Sequence, residues 1–131
     1  MLILFIMQTH HKDKNLQKLC ESLNPLVASI VAVGKTWDIN NMIKDSDWYL
    51  VMFDNEFVSP DLRDAIKIIV ETDPDYDYFI FMEKTWEGKV FQSPRMFRRD
   101  VRLQRDSFLP EDKTLRCERI LDGWIKKWQR E

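Results

Sequence analysis

Three short, nearly uninterrupted apolar runs, Leu2–Met7, Leu26–Val33 and Trp48–Phe53, set the strongest limit on how this chain folds. Runs of this length read as strands covered on both faces, because a half-buried strand would alternate apolar with polar residues. Between the runs the period changes. Asp13 can cap a helix in which Leu16, Leu19, Cys20 and Leu23 follow the i, i+3, i+4, i+7 spacing of one helical face. Pro25 disfavours helix at Asn24 and ends that element. Gly34 closes the second run, and Ile39, Met42 and Ile43 suggest a short helix.

The next helix is the most fully signalled. Ser59 suits the N-cap, Pro60 the first helical position, and Asp61 the positive end of the helix dipole. Leu62, Ala65, Ile66, Ile69 and Val70 then share one face. The acidic stretch Glu71–Asp77 contains Pro74 and reads as a loop. Tyr78–Met82 reads as a fourth strand, Glu87-Gly88 as a hairpin turn into Lys89–Phe91, and Arg95–Arg98 as a further short strand. From about Glu111, the spacing of Leu115, Ile120, Leu121, Trp124, Ile125 and Trp128 predicts a last helix, weakened by Gly123. This order predicts an α/β sandwich with a mainly parallel central sheet and helices on both faces. With 131 residues and no linker or internal repeat, residues 1–131 are expected to form a single domain.

Composition excludes several classes. Three glycines do not supply a glycine-rich phosphate loop, and two cysteines are too few for a disulfide scaffold or a four-ligand zinc site. The run Met1–Met7 is too short to span a bilayer and lacks a basic start and a cleavage site. The expectation is a chain with no transmembrane segment. Two cysteines fit a reducing compartment, so the location is expected to be cytoplasmic. Lys and Arg number 20 against 22 Asp and Glu, which argues against a general nucleic-acid binder.

Ligands of parallel α/β sheets sit at the carboxyl ends of the strands. That rule selects three loops: Gln8–Lys12, Gly34–Asp38 and Asp54–Ser59. Asp54-Asn55-Glu56 offers hard oxygen ligands suited to Mg²⁺ or Mn²⁺. A polar strand end leading into the Ser59 cap explains the same residues without chemistry. Arg95, Arg98, Arg99, Arg102 and Arg105 form a cluster whose guanidinium forks could hold phosphates. Neighbours in a strand face opposite sides, so the five cannot all serve one ligand, and a charged, solvated edge strand is the competing reading. His10 and His11 are adjacent, which makes joint ligation awkward. Trp37 and Trp86 fall in turn positions where an indole could stack on a base or sugar, whereas Trp48, Trp124 and Trp128 fit core or partner-facing positions. The aromatic stripe of the last helix could pack against a second copy, giving a homo-oligomer. Cys20, on an apolar helix face, is expected to be inert.

The segment Asp47-Trp48-Tyr49-Leu50-Val51-Met52-Phe53-Asp54-Asn55-Glu56-Phe57-Val58-Ser59-Pro60-Asp61-Leu62 resembles family 2 glycosyltransferases, notably those that add sugars to lipopolysaccharide cores. Those enzymes carry an aspartate and tryptophan, an apolar strand, a D-x-D-E motif, then Ser-Pro and a helix. Downstream, Ser93-Pro94-Arg95-Met96-Phe97-Arg98-Arg99 is similar to the family's Pro-Arg-Leu-Phe-Arg segment, at a similar separation. The resemblance covers roughly residues 45–100. It implies a reduced GT-A-like fold, a nucleotide-sugar donor, and Mn²⁺ or Mg²⁺ as cofactor. By that resemblance Asp54 and Glu56 hold the metal or donor sugar, Thr9 and Asp38 border the nucleotide, and Arg95 and Arg98 meet phosphate. The family's catalytic base has no clear counterpart, and Glu111, Asp112 and Glu118 are only nominal candidates for it. Placing Glu56 on the family's glutamate sets Phe53 and Asn55 where the two metal-motif aspartates belong, with Asp54 between them. Two functions are therefore carried forward: a glycosyltransferase-like protein transferring sugar from a nucleotide-diphosphate donor, and a non-catalytic binding or assembly module.

Overall fold

The first and third apolar runs form neighbouring strands, β1 (Leu2–Met7) and β3 (Trp48–Phe53), paired in parallel register from Leu2↔Trp48 to Met7↔Phe53. They belong to a computed structural model that describes residues 2–7, 16–42 and 44–127. The second run gives β2 (Val27–Val33), parallel to β1 on its other side. Helix α1 (Leu16–Leu23) and the single turn α2 (Thr36–Ile39) flank β2 in sequence. After β3 come β4 (Glu56–Val58), α3 (Pro60–Thr72), β5 (Tyr78–Lys84), β6 (Val90–Arg98) and β7 (Cys117–Lys127).

The seven strands form one sheet in the order β2-β1-β3-β6-β5-β7-β4. Pairs β1–β2, β1–β3 and β5–β7 are parallel, whereas β3–β6, β5–β6 and β4–β7 are antiparallel. The fold is therefore mostly β, a mixed sheet curled into a half-barrel, and not the expected GT-A-like sandwich around a mainly parallel sheet. Two local causes account for the difference. The expected C-terminal helix is strand β7, and the hairpin strands expected at 89–91 and 95–98 are one long antiparallel strand, β6.

The curl follows from a two-residue connection. Strands β3 and β4 stand four places apart in the sheet order. A flat sheet would separate them by about 19 Å at ~4.8 Å per strand. Yet only Asp54 and Asn55 join them, and three Cα–Cα steps reach at most about 11 Å. The sheet must bend until β4 returns to the end of β3.

The two sheet faces are covered differently. On one, alternate residues Leu2, Leu4 and Ile6 of β1 and Trp48, Leu50 and Met52 of β3 pack with Leu19 and Leu23 of α1 and Leu62, Ile66 and Ile69 of α3. On the other, Ile3, Phe5, Tyr49, Val51 and Phe97 meet Ile39 of α2 and the irregular segment after β6, through Val101 and Leu103. Helices thus cover one face, and a one-turn helix with a loop covers the other. The loop's backbone is held by side chains, as buried peptide groups require. Tyr49 Oη donates to the Val101 carbonyl at 2.7 Å, and Asn40 makes a pair of bonds with Leu103 at 2.8 and 2.9 Å. The Thr36 hydroxyl is shared between the Gln104 and Arg105 carbonyls at 3.1 and 3.0 Å. Helix α3 starts as expected, with Ser59 Oγ accepting from Leu62 N. β2, expected to be covered on both faces, is instead an edge strand with Ala28, Ser29, Ile30 and Ala32 exposed.

Candidate functional site

The carboxyl ends of β1, β2 and β3 lie side by side and open on a cleft of about 410 Å³. Met7 and Phe53 line it from the strand ends, and Gly34, Lys35 and Thr36 from the loop after β2. Asp106, Ser107 and Phe108 close it from the irregular segment. Thr36 therefore does two things: it lines the cleft and anchors the backbone two residues before Asp106, Ser107 and Phe108 close the opposite side. The Phe53 and Phe108 rings meet with centroids 5.3 Å apart and form an apolar wall.

Behind that wall lies a buried ion cluster. Its central residue reaches it through a β-bulge. Phe79 pairs with Met96 but Ile80 pairs with Pro94, so Arg95 is the extra residue on β6. A bulge re-aims a side chain, and proline inside a strand is confined to such sites or to edges. The Arg95 guanidinium, 1% exposed, then uses all five of its N–H donors. Nε donates to Ser93 Oγ at 2.8 Å. Nη1 donates to the Val51 carbonyl at 3.2 Å and to Glu56 Oε1 at 2.7 Å, and Nη2 to Glu56 Oε2 and Glu83 Oε2, both at 2.9 Å. Its flat face lies 4.6 Å from the Phe108 centroid. Lys127 Nζ completes the cluster at 2.8 Å from Glu83 Oε1. Two cations thus balance two carboxylates. Burial pushes the Arg95 and Glu83 pKa values toward neutrality. The facing carboxylates outweigh this and raise Arg95, and the Lys127 hydrogen bond with the nearby positive charges holds Glu83 below the usual carboxylate range.

This geometry decides what the sequence-predicted residues can reach. Arg95 has no N–H left for a phosphate. Glu56 is fully buried, with both oxygens facing Arg95 and Oε1 also accepting from Phe53 N at 2.6 Å. It does not fit a cation ligand in this arrangement, because a metal would have to displace Arg95. Asp54 is buried at the β3–β4 turn, where its backbone N–H donates to the Met7 carbonyl at 3.3 Å. Among the described residues, no three of His, Cys, Asp and Glu gather as a metal site. Beside Asp54, Asn55 is buried, and its Oδ1 has no hydrogen-bond partner among the described residues.

Arg98 lies elsewhere. It is paired with Trp48 at the amino end of β3, about 16 Å along the strand from Phe53 at ~3.3 Å per residue. There Nε donates to the Tyr76 carbonyl at 2.7 Å, Nη1 to Asp73 at 2.8 Å, and the guanidinium stacks 4.3 Å from the Trp48 ring. It clamps the loop after α3 and cannot share a ligand with the cleft. Asp38 is exposed on α2, two residues beyond the lining residue Thr36. Thr9, His10 and His11 lie outside the described residues, as do Asp13 and Trp128.

The remaining candidates are dispersed. Trp48 is core, Trp86 is exposed in the β5–β6 turn, and Trp37 on α2 lies under Arg102. Trp124 sits on strand β7 under Lys84, so the expected aromatic helix that would join two copies does not form. Cys20 is half-buried, and burial pushes its thiol up. Glu83, Lys127 and Phe108 were missed by sequence reasoning, which also placed Pro94 between two short strands and so did not register the bulge that turns Arg95 toward them. No helix among the described residues is long and apolar enough to cross a membrane. No protein-family model and no curated protein matches this chain.

Proposed function

We propose that this chain is a glycosyltransferase-like binding module that takes a nucleotide-diphosphate ligand in the strand-end cleft without metal-assisted transfer. One observation carries the reading: an open cleft at the carboxyl ends of three parallel strands, beside a motif carboxylate already neutralised by Arg95. The cleft's volume falls in the range of small-molecule sites, roughly 300–1,000 Å³. Phe53 and Phe108 offer an apolar wall for a base or sugar face. Lys35 supplies positive charge for phosphate, and Asp106 and Ser107 supply acceptors for ribose hydroxyls. The resemblance of residues 47–62 and 93–99 to sugar-transferring enzymes supports the choice of ligand class.

The test is calorimetric titration with uridine and guanosine diphosphates and their sugars, with and without Mn²⁺. Binding is expected to be independent of metal and weakened about tenfold in Lys35→Ala, the loss of one charge-assisted contact. No heat with any of these ligands overturns the reading. A second reading, metal-assisted transfer, is favoured by Asn55 Oδ1, which lies beside Asp54 and has no hydrogen-bond partner among the described residues. It requires binding that appears only with Mn²⁺ and disappears in Asp54→Ala.

A further inference from the structure

The curled sheet has two edges of unequal character. At one end β4 has three residues, carries Glu56 and packs against α1. At the other end β2 has seven residues and pairs only with β1 among the described strands. In a parallel pair, alternate N–H and C=O groups of β2 point away from β1. Edge strands are normally blunted by charge, proline, bulges or brevity. β2, Val-Ala-Ser-Ile-Val-Ala-Val, has no charged residue and no proline. The charge-free stretch runs from Ser22 to Gly34 in a chain that is 32% charged. Ala28, Ser29, Ile30 and Ala32 are exposed, Ile30 by 50%.

We infer that β2 is a self-association edge, pairing antiparallel with β2 of a second copy about a two-fold axis at Ile30. The strand is self-complementary in that register. Ile30 meets Ile30, Ala28 meets Ala32, Ser29 meets Val31 and Val27 meets Val33, with no like charges opposed. The small residues beside Ile30 let the two backbones approach. A second copy is the favoured occupant because, among the described strands, the other edge is too short and too charged to match, so an isologous contact closes the assembly at two. The result is a continuous sheet of seven strands from each copy. One strand edge buries less than the standard interface of about 800 Å² per partner, so the dissociation constant is expected on the order of 10 µM. β2 runs into Gly34–Thr36, so antiparallel pairing puts the two clefts at opposite ends of the joined sheet. The association is independent of the ligand reading above.

Sedimentation velocity of the full chain from about 1 to 300 µM tests it. The sedimentation coefficient is expected to rise from monomer to dimer across that range. Ile30→Lys, which opposes two ammonium groups on the axis, is expected to weaken association more than tenfold. Ala32→Lys is expected to act in the same direction, while Leu121→Lys, a 73% exposed site on β7, leaves the dimer intact. Hydrogen exchange on the unaltered chain provides a readout that needs no variant: β2 amides should slow as concentration rises. A monomer throughout, a dimer insensitive to both β2 lysines, or one abolished by Leu121→Lys overturns the proposal. Concentration-independent β2 exchange does the same.

Discussion

Replacing Arg95 with methionine is expected to lower the unfolding free energy by about 3–5 kcal/mol, the typical effect of stripping one partner from a buried ion pair. The side chain is 1% exposed and meets Glu56, which is 0% exposed. Its removal leaves a carboxylate inside the curl of the sheet whose nearest remaining counter-ion among the described residues is Lys127 Nζ at 3.9 Å. Removing both members should cost less than removing Arg95 alone, because Lys127 and Glu83 still balance each other. Urea unfolding of Arg95→Met, Glu56→Leu and the double variant measures this as a double-mutant cycle. A loss under 1 kcal/mol for Arg95→Met would show that the cluster is not what fills the curl. Acid should act on the same cluster through Glu83. Its folded pKa lies below the unfolded value, so its contribution is present above the ordinary glutamate range. It is lost as pH falls through the depressed value.

Gly123→Ala is expected to be comparably severe. Gly123 sits in β7 at φ +75°, where a Cβ is strained by roughly 1–2 kcal/mol. A Cβ there would also collide with Ser59 Oγ and Leu62 N. The second atom is backbone in the first turn of α3 and cannot swing aside. Overpacking of this kind adds about 1–3 kcal/mol. The contact matters because Ser59 joins the helix to the strand: its Oγ accepts from Leu62 N and from Trp124 N at 3.0 Å, and its N–H donates to the Trp124 carbonyl. Gly88→Ala is the matched control, at φ +91° in the β5–β6 turn, where no atom of the described residues would lie within 4 Å of the added Cβ. The two variants have the same backbone problem and differ in crowding. Equal melting temperatures for both would refute the crowding argument.

The parts legible in the sequence were those set by local pattern. β1, β3 and α3 follow from apolar runs and a capped helical face, and the Glu87-Gly88 turn from its glycine. β7 was not legible for a reason visible at Gly123. From Phe81 to Glu83 β5 advances two residues, while β7 advances from Ile120 to Ile125. The extra residues break the strand period of two, and Leu121, Trp124 and Ile125 fall at i, i+3 and i+4, the spacing of a helical face. β4 was too short to register, and its place depends on β7, far along the chain. The site divides in the same way. The rule of strand carboxyl ends located the cleft loop at Gly34–Thr36 and the Asp54–Glu56 turn. It could not show that Arg95 and Glu56 neutralise each other, because that contact depends on a bulge and on the curl.

The two-residue link between β3 and β4 also orders events in time. Glu56–Val58 finds its ladder partner only in Ile125–Lys127, about seventy residues later. Closing so long a loop comes late, after local pairings such as the β5–β6 hairpin. On a growing polypeptide, Glu56 therefore waits first for Arg95 and then for the strand that brings Lys127. Pulse-labelled refolding should find the Glu56–Val58 amides protected after those of β5 and β6, and simultaneous protection would argue against this sequence of events. Until that last strand docks, the nascent molecule carries an open half-barrel with β4 unpaired, the stage at which it is most exposed to misassociation and most dependent on help.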